Sequence, residues 1–290
     1  MSNYYHGAKA SKQATSVSTP VVADSSIHLI VGTAPVHTVG GKVNEPVYAS
    51  NYAEAVAAMG YSDEWDKYDI CEEIYSSFKL YSNGPIIMVN VLDPAKHLKG
   101  AETVEKTLAG GITELPYEAV SDTVEVKGYD GEDSLTEAYA RGEDYDLFYT
   151  DGVLKLERIE SGKIKADNAR LNIKFNSVDP SKVTKKEIIG GYDTNTNKSS
   201  GFELVDSVYP KYRVIPTLFL APNFSTDSEV AAIMAAKAEN INGLFTGKAI
   251  IDADTNTVKA YSDVPAWKNN NNITQPSQLV TWPKYTPVSY

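Results

Sequence analysis

The sequence predicts an α/β core domain, a mixed sheet with flanking helices, that is interrupted by a β-rich inserted domain and preceded by an extended N-terminal arm. Apolar strands alternate with amphipathic helices in residues 21–96 and again in residues 202–290. Between these ranges, residues 97–201 consist of short segments of alternating polarity separated by turn residues. A chain of 290 residues is long enough for two such domains.

Residues 1–20 form the predicted arm. They are polar and rich in Ser and Thr, and they have neither a helical apolar period nor the apolar region of a signal peptide. Such a segment cannot build a core of its own. We expect it to be disordered, or to be held by pairing with the edge of a sheet.

The first half of the core domain has the predicted order strand, helix, helix, strand. Residues 27–31 (IHLIV) and 86–92 (IIMVNVL) are the strands, and Ser50 or Asn51 caps the first helix. The second helix begins at about Asp69. Its predicted buried stripe consists of Ile70, Ile74, Phe78 and Tyr81.

The predicted insert contains a strong hairpin signal at Asp151-Gly152, which separates two short strand-like segments. Residues 190–201 are rich in Asn, Thr and Ser and are interpreted as a return linker. The second half of the core domain then resumes with a short helix at 202–209 and an apolar strand at 214–220. It continues with a helix at about 225–240 capped by Thr226, a strand at 248–251 and an irregular end at 266–290.

Composition excludes several classes of function. The net charge of −11 disfavours a nucleic-acid partner, and no apolar stretch is long enough for a membrane span. Cys71 is the single cysteine, so an intramolecular disulfide and a thiolate metal cage are both excluded. We expect Cys71 to fill space in the core. The 19 tyrosines suit protein interfaces, because their side chains are both apolar and polar.

No motif supports a catalytic, cofactor-binding or metal site. The four histidines are scattered without metal-ligand spacing. Gly243 and Gly247-Lys248 resemble part of a phosphate loop, but Asn242 and Ala249 break the pattern and a strand follows instead of a helix. The histidines are His6, His28, His37 and His97.

A second weak pattern resembles the start of a calcium loop. Asp252, Asp254 and Asn256 have the required spacing, and Asp263 falls at the twelfth position. Thr257 replaces the glycine that permits the sharp turn, so we interpret the segment as a solvated turn. The sequence therefore predicts no enzyme, no cofactor and no metal.

Four segments resemble the tail sheath family of contractile phage tails and related bacteriocins. They cover about half of the chain, chiefly the split core domain. They are residues 18–35 (STPVVADS to IVGTAP), 44–60 (NEPVYASNYAEA to MG), 78–89 (FKLYSNGPIIMV), and 216–222 (PTLFLAP) with 249–252 (AIID).

The resemblance implies a structural subunit of a contractile tail sheath, which polymerises around a tail tube and drives contraction for injection. Extended arms would link copies of the subunit by strand addition. The implied partners are other copies of the chain, the tail tube protein, and the baseplate and tail terminator proteins, without nucleic acid or membrane. The implied location is the virion, after assembly in the cytoplasm of the bacterial host, including hosts that carry a prophage or a contractile injection system.

In this family the β-rich insert at 97–201 corresponds to a protruding domain of variable sequence. Sheath subunits also continue into a further C-terminal α/β domain, so the resemblance implies a truncated subunit. Two alternatives stay open. One is an α/β enzyme or ligand-binding protein with its site at the carboxyl ends of the strands. The other is a surface adhesion module that uses the insert.

Overall fold

The computed structural model describes residues 27–129 and 134–284, a mixed α/β fold with several sheets. The predicted arm at 1–20 lies outside the described residues. Within the described part of the chain, no helix is both long and apolar enough to cross a membrane.

A six-stranded sheet organises the two ends of the described chain. Its strand order is β15-β14-β13-β1-β3-β2, and all neighbours are parallel except β2, which runs antiparallel to β3. The central strands are almost wholly apolar, as expected for a parallel sheet that is covered on both faces. The strands are β1 His28–Gly32, β2 Val47–Ala49, β3 Ile86–Asn90, β13 Leu218–Leu220, β14 Lys248–Asp252 and β15 Gln278–Thr281.

Helices cover both faces of this sheet. On one face, Leu29, Val31 and Phe219 pack against α5 (Ser228–Glu239) and α4 (Val205–Tyr212). On the other face, which we call face A, Ile30 and its neighbours Ile86 and Met88 pack against α1 (Tyr52–Met59) and α2 (Asp69–Ile74). The alternation of side chains along each strand therefore supplies two separate cores.

The first helix agrees with the prediction and the second differs from it. Asn51 caps α1 by accepting a hydrogen bond from the Glu54 backbone N–H at 3.0 Å, and Gly60 ends it. The predicted long helix from Asp69 becomes α2 followed by a π-helix at Tyr75–Leu80. A π-turn holds more residues than an α-turn and shifts the buried stripe. Tyr81, predicted to be buried, is 74% exposed.

The middle of the chain forms two antiparallel sheets with a core between them. One has the order β4-β10-β6-β7 and the other β5-β9-β8. Phe175, Ile173 and Leu156 are among the buried residues that the two sheets share. The strands are β4 Glu102–Thr107, β5 Ile112–Glu114, β6 Glu125–Tyr129, β7 Ser134–Tyr139, β8 Tyr145–Thr150, β9 Val153–Arg158 and β10 Arg170–Phe175.

The hairpin that Asp151-Gly152 predicts is confirmed. Strands β8 and β9 pair in register from Tyr145 opposite Arg158 to Thr150 opposite Val153. Asp151 and Gly152 both have positive φ angles, of 50° and 80°. This is the conformation of a type I′ turn, whose twist matches that of the strands it joins.

The segment predicted as a linker contains regular structure. After α3 (Lys185–Ile189), strands β11 (Gly191–Asp193) and β12 (Lys198–Ser200) form a hairpin. Its Asp and Asn side chains close the turn; for example, Asp193 Oδ1 accepts from the Asn195 backbone N–H at 2.9 Å. Residues that favour loops thus make a tight turn here.

Strand β13 is shorter than the predicted strand at 214–220. Its pairing begins only at Leu218, opposite His28. Pro216 lacks a backbone N–H and cannot take part in the hydrogen-bond ladder of a central strand. The strand therefore starts after this proline.

The described residues from 266 to 284 are also more regular than predicted. The described part of 266–290 includes most of α6 (Val264–Asn270) and all of β15, which pairs in parallel with β14. The prediction of an irregular end at 266–290 is wrong for these elements. Strand β15 has four residues between Pro276 and Pro283, which is too short for a clear alternating pattern.

The N-cap of helix α5 lies one residue later than predicted. Asp227, and not Thr226, accepts from the backbone N–H groups of Glu229 at 2.9 Å and Val230 at 3.4 Å. We therefore expect Asp227→Ala to lower the free energy of unfolding by about 1 kcal/mol, measured by urea denaturation. The control Thr226→Ala should cost no more than a few tenths of a kcal/mol. Equal losses in the two variants would contradict this cap assignment.

Candidate functional site

The carboxyl ends of the parallel strands are where an α/β protein of this type binds a ligand. Strand order reverses at β1, since β3 lies on one side of it and β13 on the other. The carboxyl ends of β1, β3 and β14 bring three polar residues to this edge: Thr33 directly follows β1, and Asn90 and Asp252 are the last residues of β3 and β14. The enzyme alternative requires that side chains able to bind or activate a substrate converge at this edge.

A side chain of the protein itself fills the space beside β1. Asp69, at the start of α2, is 1% exposed. Its Oδ1 accepts a hydrogen bond from the Thr33 backbone N–H at 2.5 Å and lies 3.1 Å from the Thr33 hydroxyl. A backbone N–H after the first strand is a group that a bound anion would use in other α/β proteins. Here the Asp69 carboxyl occupies it.

The approach of Asp69 to β1 depends on a glycine. A Cβ atom at Gly32 would lie 2.2 Å from Asp69 Oδ1 and 2.8 Å from its Cγ. Burial raises the pKa of the Asp69 carboxyl to about 7, although the Thr33 hydrogen bonds act in the opposite direction. The group is therefore partly protonated at neutral pH.

The other polar residues at this edge hold the loops in place. Asn90 is buried, and its Oδ1 accepts from the Ala34 backbone N–H at 2.9 Å while its Nδ2 donates to the Leu92 carbonyl at 2.9 Å. Asp252 accepts from the hydroxyls of Ser225 and Thr281, each at 2.8 Å. These contacts connect β14 to both of its neighbouring segments.

A cleft of about 270 Å³ remains between the sheet edge and the β-rich part of the chain. Lys67 and Lys99 lie in its wall together with Glu118, Asp179 and Ser181. Lys67 Nζ lies 2.9 Å from Glu118 and also 2.9 Å from Glu64, so its charge is neutralised within the protein. The residues described contain no group of three or more His, Cys, Asp and Glu side chains that could hold a metal.

The histidines have unrelated environments. His28 Nδ1 lies 2.7 Å from Glu73 Oε1, His37 Nε2 lies 3.0 Å from the Tyr117 carbonyl, and His97 Nδ1 accepts from the Asp93 backbone N–H at 2.8 Å. Burial lowers the pKa of His37. His6 lies outside the described residues. The three described histidines thus make structural contacts in separate parts of the fold.

The residues of the phosphate-loop and calcium-loop patterns also make structural contacts. Lys248 Nζ donates to the Pro276 carbonyl at 2.8 Å, at the start of β14. Asp254 Oδ1 accepts from the Asn256 backbone N–H at 2.9 Å, which forms a local turn after that strand. Asp263 accepts from the Ala260 backbone N–H at 3.1 Å.

Cys71 lies in the core, as the sequence predicts. It is fully buried, and burial raises the pKa of its thiol to about 12. A thiol with so high a pKa is almost entirely un-ionised at neutral pH, so it is a poor nucleophile and metal ligand.

An aromatic contact joins the β-rich part of the chain to the α/β part, and sequence reasoning did not locate it. The Tyr117 hydroxyl donates to the Tyr61 carbonyl at 2.8 Å, and the Tyr117 ring lies edge-on to those of His37 and Tyr68. Tyr149 packs edge-on to His37 and donates to the Ala119 carbonyl at 2.9 Å. The high tyrosine content is the one signal in the sequence that pointed towards such contacts.

The two outer strands of the six-stranded sheet differ in how they are covered. Beside β2, the Tyr212 ring stacks on Tyr48 at 5.7 Å and its hydroxyl donates to the Pro46 carbonyl at 2.6 Å. At the opposite end of the sheet, β15 pairs with β14 and Leu279 is 45% exposed. Among the described residues no strand pairs with the outer side of β15, and such a sheet edge can accept a further strand.

Comparison with known proteins finds a relative that covers most of the chain. No protein-family model matches the chain. The chain is 28% identical to the tail sheath protein of Burkholderia phage BcepMu over 260 residues, which cover 89% of this chain and 50% of the relative. It thus spans about half the length of the curated relative that it matches. This similarity, spread over most of the chain, supports the tail sheath family and a structural role.

Proposed function

We propose that the chain is a structural subunit of a contractile tail sheath, which polymerises around a tail tube and drives contraction for injection. The observation that carries this proposal is the similarity to a phage tail sheath protein across 89% of the chain. Such an alignment extends over both halves of the six-stranded sheet and over the β-rich segment between them.

The proposed linkage between subunits is strand addition. Residues 1–20 would act as an extended arm that pairs with a sheet edge of a neighbouring copy. The outer edge of β15 supports this mode of assembly, because none of the other described strands pairs with it and its backbone groups can bind a further strand. The assigned arm lies outside the described residues, so its contacts belong to the proposal.

The placement of the sheets supports the proposed domain organisation. Residues 21–96 and 202–290 would form the core domain and residues 97–201 a protruding inserted domain. The separate core between the two antiparallel sheets supports this division. The Tyr117 and Lys67–Glu118 contacts would fix the orientation of the insert on the core.

The proposed role places the protein in the virion, after assembly in the host cytoplasm. Its partners would be other copies of itself, the tail tube protein, and the baseplate and tail terminator proteins. The proposed sheath could belong equally well to a phage, a prophage or another contractile injection system.

The proposal assigns no catalytic role to the cleft at the strand ends. The Asp69 carboxyl occupies the backbone N–H that a ligand would use, and Lys67 is paired with two carboxylates. In a sheath, the free energy of contraction would lie in the contacts between subunits, which rearrange between two discrete states. No hydrolysed cofactor is needed for such a mechanism.

Immunogold electron microscopy of lysates from cells that produce the protein tests this function. Antibodies raised against the chain should label tail-shaped particles at regular intervals along their length, because a sheath consists of repeated subunits. Antibody that has been pre-absorbed with purified chain is the control. Label confined to particle tips, or found only on soluble material, would contradict the sheath proposal.

A further inference from the structure

A histidine, a carboxylate and an Asn-Gly dipeptide meet at the amino end of β1. His28 is the first residue of β1 and lies on face A, two residues before Ile30. Its Nδ1 lies 2.7 Å from Oε1 of Glu73, which belongs to α2. Its Nε2 lies 3.5 Å from Nδ2 of Asn83, which is followed directly by Gly84. The imidazole ring thus lies between a carboxylate and a carboxamide.

Ser77 holds both neighbours of the ring. Its hydroxyl donates to Glu73 Oε1 at 2.7 Å, and its backbone carbonyl accepts from the Asn83 backbone N–H at 2.6 Å. Ser77 is buried, and the side chains of His28 and Glu73 are only 19% and 13% exposed. These contacts fix the orientation of the ring relative to the carboxamide, as a positioned catalytic group requires.

An asparagine followed by glycine can lose its side-chain amide by reaction with the backbone. Glycine has no side chain to hinder its nitrogen, which attacks the asparagine Cγ and closes a succinimide ring. The side-chain nitrogen must then leave as ammonia. It is a poor leaving group until it receives a proton, so an acid placed beside it accelerates the reaction.

The chain contains a second Asn-Gly dipeptide, with different surroundings. Asn242 Nδ2 donates to the Asp206 carbonyl at 2.7 Å, and the Asn242 backbone N–H donates to Asp206 Oδ1 at 3.0 Å. Gly243 follows it. A carbonyl oxygen only accepts hydrogen bonds, whereas a histidine ring can donate a proton. The leaving nitrogen therefore faces an acceptor at 242 and an acid at 83.

We propose that His28, oriented by Glu73, catalyses the deamidation of Asn83. The Gly84 nitrogen forms a bond to Asn83 Cγ and gives up its proton to solvent. The bond from Cγ to Nδ2 breaks, and the protonated imidazole gives its Nε2 proton to the departing nitrogen, which leaves as ammonia. The separation of 3.5 Å is long for a hydrogen bond, and such catalytic contacts tighten as the reaction proceeds.

Solvent water completes the reaction. It opens the succinimide at either carbonyl carbon and leaves an aspartyl or an isoaspartyl residue at position 83, while His28 regains its proton from water. The net reaction consumes one water and releases one ammonia. The new carboxyl adds a negative charge beside His28, and the isoaspartyl product adds one backbone carbon before β3. The reaction occurs once, within a single chain, and does not depend on the sheath role.

Peptide mass spectrometry of the purified full-length chain tests the proposal. The protein is kept at neutral pH, and the conversion of amide to carboxyl is followed at positions 83 and 242. We expect position 83 to react about 100-fold faster, which is the lower end of the range for a positioned acid. In guanidinium chloride the two rates should become similar, since the dipeptides are the same and the contacts of the fold are lost.

A histidine substitution identifies the acid. His28→Gln should lower the rate at 83 by about 100-fold and leave the rate at 242 unchanged. The matched control is His97→Gln, because His97 contacts the Asp93 backbone elsewhere in the fold. It should leave both rates unchanged. A rate at 242 that rises to its value in guanidinium chloride would identify a variant that does not fold.

A pH series on the unchanged protein tests the same role without a substitution. Both Asn-Gly sites react faster as the pH rises, because the glycine nitrogen must lose its proton, and this effect cancels in the ratio of their rates. Histidine loses its proton between about pH 5 and 8. The ratio of the rate at 83 to that at 242 should therefore fall across this window. His28 faces the Glu73 carboxylate from α2, and its register partners Ile86 and Leu218 are apolar.

Three results would overturn the proposal. Equal rates at 83 and 242 in the folded chain would show that the histidine gives no acceleration. An unchanged rate at 83 in folded His28→Gln would assign the reaction to the dipeptide alone. A rate ratio that stays constant with pH would show that no histidine proton is transferred.

Discussion

The variant Asp69→Asn is expected to remove a pH dependence of stability that amounts to roughly 4 kcal/mol in the unchanged protein. The Asp69 carboxyl titrates at 3.8 in the reference state and at about 7 in the folded protein, because burial disfavours its charged form. A raised pKa means that the folded state binds the proton more tightly. The stabilising effect is therefore complete below pH 3.8 and is lost as the pH rises to about 7.

Urea denaturation at several pH values between 4 and 8 measures this effect. The free energy of unfolding of the unchanged protein should fall relative to that of Asp69→Asn as the pH increases through this window, since asparagine cannot ionise. The control Asp193→Asn removes an exposed carboxylate whose pKa is lowered by hydrogen bonds from Asn195 and Thr196. It should preserve the decline that Asp69 causes. A constant difference between the unchanged protein and Asp69→Asn would contradict the assigned role of burial.

Gly32→Ala is expected to destabilise the fold by about 1–3 kcal/mol, the usual range for an extra methyl group in a well-packed site. The new Cβ atom would lie 2.2 Å from Asp69 Oδ1, so the carboxyl must leave its position beside Thr33. The loss is measured by thermal or urea denaturation. Gly100→Ala is the matched control, since a Cβ atom added there would have no other atom within 4 Å and the φ angle of Gly100 is not positive.

A double variant distinguishes a steric effect from a general loss of stability. Asp69→Ala removes the atoms that the new methyl group meets, so Gly32→Ala should cost much less in that background than in the unchanged protein. Equal costs in the two backgrounds would mean that the contact between residues 32 and 69 is not the cause.

Local patterns in the sequence were sufficient to predict those elements whose ends or turns are set by nearby residues. The Asn51 cap uses chemistry that acts within a few residues, and the structure agrees with it. The same holds for Asp151-Gly152, where positive φ angles are available at low cost. The apolar run at 86–92 contains strand β3, which ends two residues earlier than predicted, at Asn90.

The features that the sequence did not reveal depend on distant contacts. Strand β15 is stabilised by its pairing with β14 and by the hydrogen bond from Gln278 Nε2 to the Ala231 carbonyl, neither of which has a local pattern. The sequence predicted Asp69 only as the start of a helix. Its position against Thr33 arises because the loop before α2 returns to the end of β1. The π-helix after α2 similarly has no pattern that distinguishes it from a continuing α-helix.

The central pairing of the six-stranded sheet also has a consequence for how the chain folds. His28 on β1 pairs with Leu218 on β13, so the whole β-rich segment lies between two adjacent strands. Closing such a loop costs conformational entropy and slows folding, although the entropy grows only logarithmically with loop length. During synthesis, β1, β2 and β3 emerge from the ribosome long before β13. One side of β1 therefore stays without its partner strand until the β-rich segment has been made, and early folding of that segment would bring β13 closer to β1.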